Sequence, residues 1–147
     1  MNRLHTKLAI TAAAVSLLFA NSVAAQLGPY SAKPLSPAPK SARVQITQGP
    51  ELESANNNSA IIRWTSNNPG GSPEHYGVVR YGTNPTNLSQ TAKSPIRLNP
   101  GHSYTVFRVR MDGLKPRTTY YYTVGSTEGN GKGDGLKSAV KHFTTPG

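Results

Sequence analysis

The sequence has 147 residues and no cysteine, and its 16 lysine and arginine residues against six acidic residues give a net charge of +10. This length allows one ordinary domain with a tail. Without cysteine, the chain cannot form disulfides, thiolate zinc sites or a lipid anchor on a cleavage-site cysteine. The positive charge favours anionic partners, although the basic residues are scattered and form no continuous run.

Residues 1–25 have the layout of a secretory signal peptide. A basic stretch over residues 1–7 precedes an apolar segment over residues 8–20, and small residues lead to a predicted cleavage after Ala25. A membrane anchor is the alternative, but the apolar segment is shorter than the roughly 20 residues that a spanning helix needs. We therefore expect a secreted chain, either periplasmic or extracellular.

Residues 26–42 contain four prolines among small residues and lysines, which is the composition of an extended, semi-stiff linker. Such a segment cannot bury enough apolar surface to fold by itself. The sequence therefore predicts a proline-rich linker over residues 26–42 and a folded domain over residues 43–146.

From residue 43 onward, short runs of alternating apolar and polar residues are separated by turn residues. These runs predict β-strands, and no window of useful length has helical periodicity. Seven short strands separated by turns predict an all-β fold, an antiparallel β-sandwich. The predicted strands cover residues 43–47, 59–65, 76–81, 88–92, 103–111, 119–126 and 138–145.

The period of two also assigns the side chains of each strand to an inner or an outer face. The apolar positions are predicted to meet in one core that contains Ile62, Trp64, Phe107, Val109, Met111, Tyr120, Tyr122 and Val124, joined by Leu114 and Phe143. The glycine-rich run 129–135 contains no apolar residue. It is therefore predicted to be a mobile hairpin tip.

Residues 114–124, LKPRTTYYYTV, have the spacing of a sandwich corner. Leu114 is expected to close the end of the sandwich, Pro116 to set the turn, and Thr118 to start the next strand. Tyr120 is expected to pack inward while its hydroxyl bonds a backbone group of the corner, as in the tyrosine corner of sandwich domains. Most of this aromatic run is therefore predicted to have a structural role and not a binding role.

Together with Trp64, this corner resembles a fibronectin type III domain, an immunoglobulin-like β-sandwich. The sequence is more closely similar to the N-terminal domain of purple acid phosphatases, over residues 62–65, 79–82, 114–125 and 142–146. In that family the sandwich precedes a metallophosphoesterase domain with a two-metal site. None of that domain's metal-ligand motifs occurs in usable form here. The resemblance therefore implies an accessory domain without the catalytic residues.

The acidic residues and histidines do not indicate a catalytic or metal-binding site. Glu51 with Glu53, and Glu74 with His75, come nearest to a ligand pair, and solvated turns are the favoured alternative. No serine lies in a nucleophile-elbow motif. We expect no enzymatic activity, no cofactor and no bound metal.

Aromatic and basic side chains on the predicted outer faces are better candidates for a binding surface. Three tyrosines can stack on sugars or anchor a protein partner, with cross-strand packing as the alternative: Tyr76, Tyr104 and Tyr121. Four arginines would form a basic strip suited to an anionic polymer if they cluster on one sheet, with ordinary surface charge as the alternative: Arg63, Arg80, Arg108 and Arg110.

The sequence thus predicts a secreted, non-catalytic β-sandwich module that binds a protein or polysaccharide at the cell envelope. An accessory or truncated N-terminal domain of a purple acid phosphatase-like metallophosphoesterase, acting beside a separate catalytic chain, is the second interpretation. Binding of a polyanion through the arginines is the third. The identity of the ligand and the oligomeric state are not indicated.

Overall fold

The computed structural model describes residues 36–147, which form seven strands in two antiparallel sheets. The strands are β1 (Ile46–Ala55), β2 (Ser59–Asn67), β3 (Glu74–Gly82), β4 (Gln90–Arg97), β5 (Tyr104–Asp112), β6 (Thr119–Glu128) and β7 (Lys141–Thr144). Sheet A has the order β1-β2-β5, and sheet B has the order β4-β3-β6-β7. The predicted all-β sandwich of seven antiparallel strands is confirmed.

The predicted signal peptide over residues 1–25 and the first part of the predicted linker lie outside the described residues. Within residues 36–147, no helix is long and apolar enough to cross a bilayer.

The core lies between the inner faces of the two sheets. All ten residues predicted for it are buried there. Trp64 of sheet A stacks on Phe107 with ring centroids 5.1 Å apart, and Tyr120 of sheet B packs between Tyr81 and Phe143 at 6.1 and 5.9 Å. Burial of these large side chains supplies the main favourable term for folding, because each removes a large apolar area from water.

Gly77 shows how closely β3 approaches the opposite sheet. It faces the core, and a Cβ atom at this position would lie 2.8 Å from Val109 Cγ2 and 3.1 Å from the rings of Phe107 and Trp64. A side chain here would therefore push apart the aromatic pair at the centre of the core.

The first strand differs from its prediction, which ended it before Gly49 and Pro50. β1 instead runs through this pair, with a φ of 78° at Gly49 and register shifts against β2. These are features of a β-bulge, which bends a strand without ending it. Glu51 and Glu53 consequently lie within a strand and face β2 and β5, instead of lying in a solvated turn.

The glycine-rich run 129–135 also differs from its prediction as a mobile tip. Only its first half forms a turn, and the chain then pairs irregularly with β6 through bonds from Asp134 N to Ser126 O (3.0 Å) and from Ser138 N to Val124 O (3.0 Å). The side chain of Asp134 is fully buried. The sequence showed no sign of this pairing, because the prediction rested on the lack of apolar residues and not on the hydrogen bonds that a buried carboxylate accepts.

The corner at residues 114–120 closes the end of the sandwich where β6 begins. The Lys115 N–H donates to the Tyr120 hydroxyl at 2.9 Å, and Thr118 N–H donates to Thr145 Oγ1 at 3.0 Å. Leu114 is buried, while Pro116 is exposed in the turn. The hydroxyl of Tyr120 therefore satisfies a backbone donor that the turn leaves free of the strand ladder.

Candidate binding surface

The outer face of sheet A carries three arginines that are neutralised by neighbouring carboxylates. Arg63 on β2 lies directly opposite Arg108 on β5. The β1 residues behind the bulge and the end of β5 supply the acids, in the pairs Arg63–Glu51 (3.2 Å), Arg108–Glu53 (Nε to Oε2, 2.8 Å) and Arg110–Asp112 (2.7 Å). This face has little net charge as a result.

The four arginines proposed from the sequence as one basic strip are not brought together. Arg80 lies on β3 and belongs to sheet B, whereas the other three lie on the strands of sheet A. The sequence could not decide whether these arginines cluster. Alternation shows which residues face outward, but it does not show which strands share a sheet.

The outer face of sheet B contains cations that lack ion-pair partners among residues 36–147. Its basic side chains come from β3 and β4, and the one carboxylate on this face, Glu74, accepts a hydrogen bond from the Tyr76 hydroxyl at 3.4 Å. The basic residues are Arg80, Lys93 and Arg97. The two outer faces of the sandwich therefore differ in charge.

The distribution of the acids explains this difference. All six acidic residues of the chain lie in the described part, and five of them are in ion pairs. Of the 13 lysines and arginines within residues 36–147, four take part in these pairs, which leaves nine without a carboxylate partner. Three of the nine, Arg80, Lys93 and Arg97, lie on the outer face of sheet B, and Lys141 lies on its edge strand β7.

A groove of about 450 Å³ lies on this face, between β3, β6 and residues 133–137. Arg80 and Lys137 both line it, together with the hydroxyl side chains of Thr123 and Thr127. No carboxylate is among its lining residues in the described chain. We call this feature the cationic groove.

The structure places the three candidate tyrosines on both faces. Tyr76 and Tyr121 are half-buried on the outer face of sheet B, and Tyr121 packs beside His142 with ring centroids 5.8 Å apart. Tyr104 lies on sheet A, is 51% exposed and stacks on His102 at 5.6 Å. Two of the three tyrosines therefore share a face with Arg80.

A polar cluster with a buried centre, which the sequence did not indicate, lies at the end of the sandwich where β6 ends. We call it the Lys40 cluster; it comprises Lys40, His75, Ser126, Glu128 and Asp134. His75 and Asp134 have no exposed side-chain surface. The Ser126 hydroxyl donates to Asp134 Oδ2 at 2.7 Å, and Lys40 Nζ donates to Asp134 Oδ1 at 2.9 Å and also to Glu128.

Hydrogen bonding fixes the charges within the Lys40 cluster. His75 Nδ1 lies 2.8 Å from Asp134 Oδ2, and its Nε2 lies 3.1 Å from the carbonyl oxygen of Gly70. Both ring nitrogens therefore lie against oxygen atoms, one of a carboxylate and one of a backbone carbonyl. Burial opposes ionisation of Asp134, but the hydrogen bonds that it accepts outweigh burial and lower its pKa below the usual value. The hydrogen bond from Lys40 likewise lowers the pKa of Glu128.

The residue types of this cluster also occur in hydrolytic triads, but their arrangement is structural. Ser126 donates to the carboxylate instead of to His75, and both ring nitrogens of His75 are already engaged. In this arrangement His75 therefore does not act as a base towards the Ser126 hydroxyl. Within residues 36–147, no group of three or more histidine and acidic side chains converges in a way that would hold a metal.

Residues 38–41 belong to the predicted linker, yet they contact the sandwich. Ser41 N–H donates to Pro69 O at 2.8 Å, and Gly71 N–H donates to Ala38 O at 2.9 Å. A Cβ atom on Gly70 would clash with the Pro39 carbonyl. Lys40 could have been noticed as the one linker lysine next to the domain, but its carboxylate partners lie 88 and 94 positions further along the chain.

Comparisons with known proteins agree with this architecture. The family profile described as "Purple acid Phosphatase, N-terminal domain" matches residues 43–145. No curated protein sequence matches the chain.

Among solved structures, the short form of the sensor domain of the anti-sigma factor RsgI4 from Pseudobacteroides cellulosolvens is similar, with a TM-score of 0.50 and 21% identity over 71% of this chain and 96% of that chain. The long form gives a TM-score of 0.48 and 20% identity over 70% of this chain and 89% of that one. This likeness concerns the fold. The family match spans nearly the whole sandwich, and the chain belongs to the purple acid phosphatase N-terminal domain family.

Proposed function

We propose that this chain is a secreted, non-catalytic module that binds a polysaccharide or protein at the cell envelope through the outer face of sheet B. The observation that supports this most is the joint presence of Tyr76, Tyr121 and Arg80 on a face that has a groove and only one carboxylate. Export is supported by the signal-peptide layout of residues 1–25.

The chemistry of this face suits recognition more than catalysis. Tyrosine presents an apolar ring with a polar tip, which contacts sugars and protein surfaces at a low cost in side-chain entropy. Arginine adds a planar set of donors for carboxylates and carbonyls. A rigid sheet holds these groups in place before the ligand arrives, which lowers the entropic cost of binding.

The test is retention of the exported chain on a glycan array and on isolated envelope material. We expect binding that falls in a Tyr76→Ala, Tyr121→Ala double variant, and we expect a mass for the exported chain that fits cleavage after Ala25. Tyr104→Ala is the matched control, because Tyr104 lies on the opposite sheet. Absence of any envelope ligand, or loss of binding in the control alone, would contradict the proposal.

Membership of the family supports a second function, that of an accessory domain acting beside a separate metallophosphoesterase chain. The purified chain should then hydrolyse no phosphomonoester when iron, zinc or manganese is added. It should also co-purify with a phosphoesterase from its own host and change the substrate affinity of that enzyme. Turnover by the chain alone would refute the accessory role.

A further inference from the structure

We propose that the cationic groove binds an acidic polysaccharide, with Arg80 and Lys137 holding a carboxylate group of the sugar chain. This inference rests on the proposed binding function and narrows its ligand to one chemical class. The two cations converge on the groove from different parts of the chain, Arg80 from β3 and Lys137 from the segment that follows the glycine-rich turn.

Neither cation is used by the fold. In the described part of the chain, neither Arg80 nor Lys137 forms an ion pair, whereas all three arginines on the outer face of sheet A do. A planar guanidinium matches a carboxylate through two parallel hydrogen bonds, and an ammonium beside it adds a second charge-assisted bond. The absence of a carboxylate from the groove wall leaves both groups available to a ligand.

The rest of the groove suits hydroxylated units between the charged ones. Thr123 lies directly opposite Arg80 in the β3–β6 ladder, and Thr127 lies opposite Tyr76. Both threonines line the groove, Thr123 as a buried residue and Thr127 as a half-buried one. The Thr127 hydroxyl can both donate and accept hydrogen bonds, as sugar hydroxyls do. Gly125 between the two threonines allows residues 133–137 to lie close, because a Cβ atom there would be 2.7 Å from the carbonyl oxygen of Leu136.

The tyrosines extend this surface at both ends. The outward positions run from Tyr76 through Val78 to Arg80 on β3, and Tyr121 lies opposite Gly82, the next outward position. Six residues of strand separate the two tyrosine rows, which is roughly 20 Å at the rise of a β-strand. A linear chain that crosses the cationic groove would therefore meet an aromatic ring on either side of the charged centre.

The density of charge favours a polysaccharide over a nucleic acid. Duplex DNA carries about one charge per 1.7 Å of axis, and proteins that bind it supply a matching set of basic residues. The cationic groove supplies two, separated by hydroxyl and glycine positions. A sugar polymer with at most one carboxylate per ring matches this sparse pattern of charge.

The experiment compares the whole exported chain against polygalacturonate and fully methyl-esterified polygalacturonate, which share a backbone and differ in charge. We expect calorimetric binding of the free acid, weakened at least tenfold by esterification and weakened progressively by added salt. Lys137→Gln should weaken binding by about tenfold through the loss of one charge-assisted hydrogen bond, and Arg80→Gln should weaken it at least as much. Arg108→Gln, on the other sheet, is the matched control and should bind as the wild type does.

The outcomes separate this inference from the proposed function. Equal binding of the acid and its ester, or equal loss in Arg108→Gln, would overturn the inference and leave a neutral-polysaccharide module. Binding of no polysaccharide and no envelope protein would overturn both. Tighter binding of single-stranded DNA or of phosphatidylglycerol vesicles would also overturn the inference. If Arg80→Gln has a lowered denaturation midpoint, Arg80→Lys serves instead, with an expected loss of less than tenfold because the charge remains.

Discussion

The two ends of β6 are held by polar groups in different ways. At its start, the tyrosine corner is built on residues 114–120, where the Lys115 N–H donates to the Tyr120 hydroxyl. Its partners outside this stretch are Asn58, Thr145 and Pro146. At its end, the Lys40 cluster joins residues from the predicted linker, from β3, from β6 and from the glycine-rich connection. The bond that defines the corner is local in sequence, whereas every bond of the cluster joins residues from distant parts of the chain or from different elements.

The comparison shows that contacts between residues close in sequence need not be the ones that contribute most to stability. The corner binds neutral groups near the surface, whereas the cluster buries a carboxylate and an imidazole completely. A buried charge depends strongly on its partners, because removing one leaves the other without solvent or counter-charge. We therefore expect the end that was harder to predict to be the more sensitive to substitution.

The largest effect is expected for Asp134→Ala, which leaves His75 and Lys40 without their shared carboxylate. The free energy of unfolding should fall by about 3–5 kcal/mol in urea denaturation at neutral pH. Asp112→Ala is the matched control, because its pair with Arg110 is exposed and should contribute at most about 1 kcal/mol. Equal losses in the two variants would mean that the cluster does not stabilise this end.

Leu114→Ala should remove about 2–5 kcal/mol of stability, because it truncates a buried side chain at the corner. The same denaturation experiment measures it, and Leu52→Ala is the control, since Leu52 is 40% exposed at the edge of sheet A. A wild-type midpoint for Leu114→Ala would mean that the corner is not packed as described.

Tyr120→Phe should cost about 1 kcal/mol, since it removes only the hydroxyl that accepts the Lys115 N–H. The ring remains to fill the core between Tyr81 and Phe143. The denaturant slope should stay unchanged while the midpoint falls. A loss as large as that of Leu114→Ala would show that the ring also shifts.

Lys40→Met should give the smallest loss of the four, because the Lys40 side chain is 41% exposed and water screens its charge. Its effect should depend on pH. Asp134 and Glu128 have lowered pKa values in the folded chain, so their contribution is complete above the ordinary values of 3.8 and 4.5 and disappears as pH falls through the lower folded values.

The difference in unfolding free energy between the wild type and Lys40→Met should therefore be greatest near pH 7 and should vanish once the pH lies below the lowered folded pKa values of both carboxylates. Denaturation at several pH values measures this difference. A constant difference across the range would show that Lys40 acts through packing and not through its charge.

The sandwich, its core and the corner could be read from the sequence because each depends on short-range spacing. Alternation along a strand gives the buried face, and the positions of Leu114, Pro116 and Tyr120 give the corner. The bulge at Gly49 broke this regularity, so the acids that neutralise sheet A were assigned to a turn. Because of that assignment, the difference in charge between the two outer faces could not be predicted.

The Lys40 cluster could not be read in the same way, because its parts are polar and far apart in the chain. One signal was present: alternation places His75 in line with Gly77 and Val79, and Ser126 in line with Val124, all on inward positions. Two polar residues at inward positions near one strand end imply a buried partner. Which acid supplies it depends on how the glycine-rich connection folds back.

The docking of residues 38–41 has a mechanical consequence. Tension applied to the chain ahead of Ala38 reaches the loop at Pro69 and the carboxylates of sheet B before it reaches β1 in sheet A. The ion pairs of Lys40 therefore bear the load before the hydrogen bonds between the strands do. Loss of these ion pairs and of the backbone bonds of residues 38–41 would lengthen the linker by at most roughly 14 Å while both sheets stay intact.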